Sequence, residues 1–120
     1  MTRKSDRIDF EIAFYESLVK DKEDFVDALI PLAHAYTEKG WFEKGLEIDR
    51  RLARLLKDDG IVHYNLACSL ALLGKSREAL RALRRALVLG YEDFEHLKQD
   101  PDLKSLHKMP EFKKILASIE

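Results

Sequence analysis

The sequence predicts an all-α protein built from stacked antiparallel helix pairs, and three observations carry that prediction. Apolar residues recur three and four positions apart through most of the 120 residues, the helical period rather than the alternation of a strand. Glycine follows three of these segments, at Gly40, Gly74 and Gly90, where a helix end tolerates the left-handed conformation. The stretch "LIPLAHAYTEKGWFEKGLEIDRRLA", Leu29 to Ala53, is echoed by "HYNLACSLALLGKSREALRALRRAL", His63 to Leu87.

Each element has its own local reason. Ile8, Ile12, Tyr15 and Val19, with Phe10, Phe14 and Leu18, predict a first helix over 6–20, followed by a turn at Lys20 to Glu23. Asp24 is the expected N-cap of a second helix over 24–39, closed by Gly40. Pro31 falls inside it and predicts a kink, because proline removes the bond to the Asp27 carbonyl and clashes with it. The alternative, a helix starting at Ile30, would waste the apolar face of Phe25, Val26 and Leu29. A third helix is expected over 42–57, a fourth over 60–73 closed by Gly74, and a fifth from the N-cap Ser76 to Leu89. In the tail, Asp100-Pro101 and Met109-Pro110 suit helix starts just after each proline, so short helices are expected over 92–98, 102–107 and 110–119.

Length and composition limit the rest. One domain, 1–120, is expected, long enough to bury a core. Charged residues make up 36% with only 5 glycines and 3 prolines, a helical and globular composition rather than a disordered one. Arg3, Lys4, Asp6 and Arg7 stand where a signal peptide would be apolar, and no window is apolar enough to span a membrane, so the expectation is a cytoplasmic protein without a membrane segment. The single Cys68 forms no internal disulfide, in keeping with a reducing compartment. The net charge of −1 conceals a segregation: residues 5–49 carry 12 acidic and 5 basic side chains, and residues 50–90 carry 9 basic and 3 acidic. There is no single-sign tail of the nucleic-acid-binding kind.

Gly40 and Gly74 are 34 residues apart, and at that offset Leu32 meets Leu66, Ala33 meets Ala67, Gly45 meets Ala79, Leu46 meets Leu80 and Arg50-Arg51 meets Arg84-Arg85. One period earlier, Leu46 and Leu52 fall on Ile12 and Leu18, so the first helix reads as the second half of an incomplete unit. This 34-residue helix-turn-helix period resembles the tetratricopeptide repeat. The family's pattern falls on Leu29, Leu32, Ala33, Tyr36, Gly45, Asp49 and Leu52, then on His63, Leu66, Ala67, Leu70, Ala79, Leu83 and Ala86. Asp49 departs from it in a normally apolar slot, Leu52 stands in a small one, and Lys57 and Tyr91 replace the late proline. The tail "GYEDFEHLKQDPDLKSLHKMPEFKKIL" resembles the ending of many bacterial members. The resemblance implies a right-handed superhelical α-solenoid: a capping half-repeat over 6–20, units over 24–57 and 58–91, and a closing segment over 92–120. Small residues at Ala33, Gly45, Ala67 and Ala79 would permit close stacking, and Phe94, Leu97, Leu103, Leu106, Phe112, Ile115 and Leu116 would close the carboxyl end.

The resemblance also implies a function, a non-enzymatic scaffold or adaptor that binds a protein or peptide in the concave groove lined by the first helix of each unit. On this sequence the groove positions are Asp27, Ile30, His34, Thr37 and Glu38, then Ile61, Tyr64, Cys68, Ala71 and Leu72, with Asn65 alongside. The patch of Tyr64, Cys68, Ala71 and Leu72 is the best candidate surface. Some members hold acidic chain ends through paired lysine and asparagine; Asn65 matches one such slot, but Ile30 and His34 stand where the pair needs Lys and Asn. His34 and Cys68 occupy the same slot in adjacent units, yet neighbouring helices lie about 8 to 10 Å apart, too far for a thiol–imidazole pair. No catalytic residue, metal site or cofactor is therefore expected: His34, His63, His96 and His107 form no i, i+4 pair, and no glycine-rich phosphate loop is present. His63 is expected at a unit junction, and His96 and His107 in solvent.

The alternative is a convex basic stripe. Arg50, Arg54 and Lys57 recur at i, i+4, i+7, as do Arg77, Arg81 and Arg84, and Arg51 and Arg85 flank them. Such a patch suits a polyanion, RNA or another acidic partner. Its lack of aromatic residues and the neighbouring Glu43, Glu47 and Glu78 favour a solvated face instead, or one that pairs with the acidic half of a second copy in a homo-oligomer.

Overall fold

The computed structural model describes residues 3–119; Met1, Thr2 and Glu120, the ends of the expected domain, lie outside the described residues. Seven α-helices and one 3-10 turn are present among the described residues: α1 (Lys4–Asp21), α2 (Val26–Lys39), α3 (Phe42–Leu55), α4 (Gly60–Leu72), α5 (Ser76–Val88), α6 (Phe94–Gln99), the 3-10 turn (Pro101–Leu106) and α7 (Pro110–Ser118). No strand occurs among the described residues. The chain is all-helical, and from α1 to α5 each helix packs on the next in sequence order. The radius of gyration is 14.9 Å, against about 13.6 Å for a compact domain of this length, so the arrangement is somewhat elongated.

Boundaries depart from the sequence reading where side-chain type alone suggests a cap. Asp24 does not cap α2: the Phe25 N–H donates to the Lys22 carbonyl, and that turn puts Phe25 at the cap position. Ser76 does not cap α5 either; it is the first helical residue and Lys75 precedes it. The strong cap is Asp59, whose Oδ1 accepts from the Ile61 and Val62 N–H groups at 2.9 and 3.2 Å and starts α4. Pro31 lies inside an uninterrupted α2, which excludes a start at Ile30, and Leu29 is fully buried as the longer helix requires. Helix α3 stops at Leu55, short of residue 57. Gly40 and Gly74 adopt φ of +85° and +74°, and the following N–H groups of Trp41 and Lys75 return to the Tyr36 and Leu70 carbonyls at 2.8 and 2.9 Å. Side chains with a Cβ avoid that region, so the 34-residue spacing of these glycines is the spacing of two identical helix ends.

Two apolar clusters form the core. Ile8, Ile12, Leu29, Leu32, Tyr36, Ile48 and Leu52 join α1, α2 and α3. Leu46, Tyr64, Leu70, Leu80 and Leu83 join α3, α4 and α5 to the tail residues Leu97, Leu103, Leu106, Phe112 and Ile115. The small positions are all buried, Ala67 and Ala79 completely. A Cβ on Gly45 would stand 3.0 Å from Thr37 Oγ1, so α2 and α3 approach as closely as a missing side chain allows. The tail does more than close an end. Helix α7 packs on α5, while the 3-10 turn folds back across α4 and buries Leu103 and Leu106 entirely.

Candidate functional site

That return of the tail reshapes the expected groove. Tyr64 is 3% exposed, Cys68 8% and Ala71 2%, so three of the four residues read as the best open surface are core. The Tyr64 ring stacks on Tyr91 with centroids 4.1 Å apart, and its hydroxyl donates to Asp100 Oδ2 at 2.7 Å. Ser105 Oγ donates to the Ala71 carbonyl at 3.2 Å. Leu72 and Asn65 remain half-buried and Ile61 is exposed. On α2, Asp27, Ile30 and His34 are exposed, Thr37 is half-buried with its hydroxyl on the Ala33 carbonyl, and Glu38 is exposed and paired with Lys4 and Arg7.

One open part of the groove is a cavity of about 330 Å³ between α2, α4 and the start of the 3-10 turn. His34 and Thr37 line it from α2, Asp49 from α3, Asn65, Cys68, Ser69 and Leu72 from α4, and His96, Asp100 and Asp102 from the tail. Of the eleven predicted groove residues, six border this cavity: His34, Thr37, Tyr64, Asn65, Cys68 and Leu72. Asp27, Ile30, Glu38, Ile61 and Ala71 do not.

Two buried carboxylates set its electrostatics. Asp49 is 5% exposed and accepts from Ser69 Oγ. Burial pushes its pKa up to about 6, opposed first by the Ser69 hydrogen bond and then by His34. Asp100, also 5% exposed, is a hub. Its Oδ2 accepts from Tyr64, is 3.5 Å from Cys68 Sγ and 3.1 Å from His96 Nε2, while Oδ1 caps the 3-10 turn through the Asp102 N–H at 3.0 Å. Asp102 is raised by its own burial and then by the Asp100 charge. The Cys68 thiol is pushed strongly upward, by burial and then by Asp100, and a thiol held protonated is the wrong form for a nucleophile.

Donor atoms of Cys68, Asp100 and Asp102 lie within 4.8 Å of one another, so these three could ligate a metal ion. The sequence shows no such ligand cluster because positions 32 and 34 residues apart meet only when the tail folds back. His96 and His107 are both exposed, as expected, and each also has a neighbour: His96 meets Asp100, and His107 stacks on Phe112 with centroids 5.3 Å apart. His63 is half-buried, its Nε2 2.9 Å from the Lys57 carbonyl. Asp100 itself has one legible signal, an Asx residue before proline at a helix start, which by sequence marks only a boundary.

The basic stripe is partly neutralised, and not as an intrahelical pattern alone. Arg50 pairs across helices with Glu78 at 3.0 Å, Arg85 with Asp58 at 3.7 Å, and Arg51 with Glu47 at 3.9 Å. The Arg50 bond draws the Glu78 carboxyl below its usual range. Arg54, Arg77, Arg81 and Arg84 are exposed and make no ion pair among the described residues.

No protein-family model matches the chain. A curated relative, a chloroplastic protein of Arabidopsis thaliana, is 32% identical over 91 residues, covering 71% of this chain and 26% of that protein. The chain thus spans about a quarter of the relative's length. No helix among the described residues is long and apolar enough to cross a membrane.

Proposed function

We propose that the chain is a small tetratricopeptide-like module, a right-handed superhelical stack, that binds a protein or peptide in the cavity between α2 and α4 and catalyses no reaction. The observation that carries this reading is the cavity itself. It lies on the face shared by the first helices of the two 34-residue units, and six predicted groove residues border it. The protonated Cys68 thiol, bonded to a carboxylate instead of an imidazole base, speaks against thiol chemistry. Tyr64, Cys68 and Ala71 are buried under the closing segment, so the binding surface is His34 and Thr37 of α2 with Asn65 and Leu72 of α4.

A pull-down from the protein's own cell extract tests the reading. Thr37→Arg with Asn65→Arg fills the cavity from two helices and is expected to lose the partner at unchanged helicity. Arg81→Glu with Arg84→Glu, on the stripe, is expected to keep it. The opposite pattern, with binding to a polyanion that falls steeply between low and moderate salt, would instead establish the stripe as the working surface.

A further inference from the structure

We infer that the cavity between α2 and α4 receives a cationic side chain, the guanidinium or ammonium group of an arginine or lysine in the bound peptide. This rests on the peptide-binding reading above and adds the chemistry of the residue that anchors the partner. The first observation is an imbalance. Asp49, Asp100 and Asp102 all face the cavity, whereas no lysine or arginine among the described residues lines it. None of these carboxylates has a lysine or arginine within ion-pair distance among the described residues. Buried charges are ordinarily paired, and the cationic candidates lining the cavity are the imidazoles of His34 and His96.

The second observation is an open acceptor. Asp49 is more than nine-tenths buried, yet its side chain accepts one hydrogen bond, from Ser69 to Oδ2, and Oδ1 has no donor among the described residues. No buried side-chain polar atom among the described residues is sealed from solvent without a partner, so Oδ1 keeps its access through the cavity that Asp49 lines. The Asp102 carboxylate likewise accepts no side-chain hydrogen bond among the described residues, while Asp100 is saturated by Tyr64, Cys68, His96 and the Asp102 N–H. The two carboxylates with spare lone pairs are thus Asp49 at the α3 wall and Asp102 at the tail wall. A guanidinium, with five donors in a planar fork, or an ammonium, with three, supplies the donors that such open carboxylates lack. The volume of about 330 Å³ accommodates a long side chain. A bare divalent cation is the weaker occupant: it would have to take the Cys68 proton and displace three contacts from Asp100 Oδ2.

The test uses the full chain and capped hexapeptides, Ala-Ala-Xaa-Ala-Ala-Leu, with Xaa arginine, lysine, citrulline or leucine, titrated while backbone amide shifts of α2 and α4 are followed. Arginine and lysine peptides are expected to shift the amides around His34, Thr37, Asn65 and Ser69 saturably. The citrulline peptide, alike in shape and uncharged, is expected to bind about tenfold to a hundredfold more weakly, as charged hydrogen bonds outweigh neutral ones. Asp49→Asn, which keeps an acceptor for Ser69, and Asp102→Asn are each expected to weaken the arginine peptide severalfold and leave the leucine peptide unchanged. Equal binding of all four peptides at these amides would overturn the cationic anchor and leave the groove reading standing. Shifts at these amides from no peptide at all would overturn both. Zinc chloride alone moving these amides in a saturable one-to-one titration, with the arginine peptide inert, would assign the site to a metal.

Discussion

Replacing Asp49 by Asn should make the protein more stable at pH 8, and the structure sets the size of the effect. Asp49 stands one 34-residue period before the buried Leu83, faces α4 through Ser69, and has no lysine or arginine partner among the described residues. Burial raises its pKa from 3.8 to about 6. In the unfolded chain the group ionises near 3.8, in the folded chain near 6, so the native state binds the proton more tightly. The stability linked to that proton is fully present below about pH 3.8 and is lost as pH rises through about 6. A rise of this size corresponds to about 3 kcal/mol, carried at neutral pH as a cost of burying the charge. Asn removes the charge and retains an oxygen for Ser69, so Asp49→Asn is expected to gain about 1 to 3 kcal/mol at pH 8, with the need to partner its NH2 group limiting the gain. Urea unfolding of both proteins at pH 8, 6.5, 5 and 4 measures it, and only the difference between them matters because other carboxylates titrate in both. That difference should shrink steadily toward acid pH. A variant no more stable than wild type at pH 8, or a difference that does not change with pH, would refute an uncompensated buried charge at this position. If the peptide inference also holds, the arginine peptide should narrow the gap at pH 8, because it neutralises Asp49 in the wild type alone.

Two further predictions address packing. Ala67→Leu or Ala79→Leu, each at a fully buried small position, should destabilise by about 1 to 3 kcal/mol through overpacking; unchanged denaturant midpoints would remove these residues from the helix contacts. Deleting residues 101–120 strips Leu103, Leu106, Phe112 and Ile115 from the α4–α5 core and uncovers Tyr64, Cys68 and Ala71, so the melting temperature and solubility should both fall. A truncated chain that melts at the full-length temperature and stays monomeric would make the tail an appendage and not part of the core.

Helix identity, the two glycine stops and the small buried positions are all legible in the sequence because each is decided over a few residues. Apolar spacing selects the helix, Gly40 and Gly74 accept a positive φ, and Ala67 and Ala79 recur one period from Ala33 and Gly45. The apolar residues of the tail are likewise legible as buried, since Leu97, Leu103, Leu106 and Phe112 had to be covered by something. Which surface they would cover had no local signature. Folding of the 3-10 turn onto α4 joins Asp100 to Tyr64 and Cys68 across 36 and 32 residues, and that contact turns an expected open patch into core. The cap positions fail for a related reason: Asp24 and Ser76 have suitable side chains, but backbone turns anchored at Lys22 and at Leu70 fix where the helices begin. Asp49 shows the division most clearly. Its misfit to an apolar slot is visible in the sequence, whereas its lack of a lysine or arginine partner among the described residues, and hence the meaning of the misfit, depends on α2, α3, α4 and the tail converging on one cavity. Local sequence determines which backbone conformations are cheap; the pairing of buried charges depends on distances between segments far apart in the chain, and only the tertiary packing sets those.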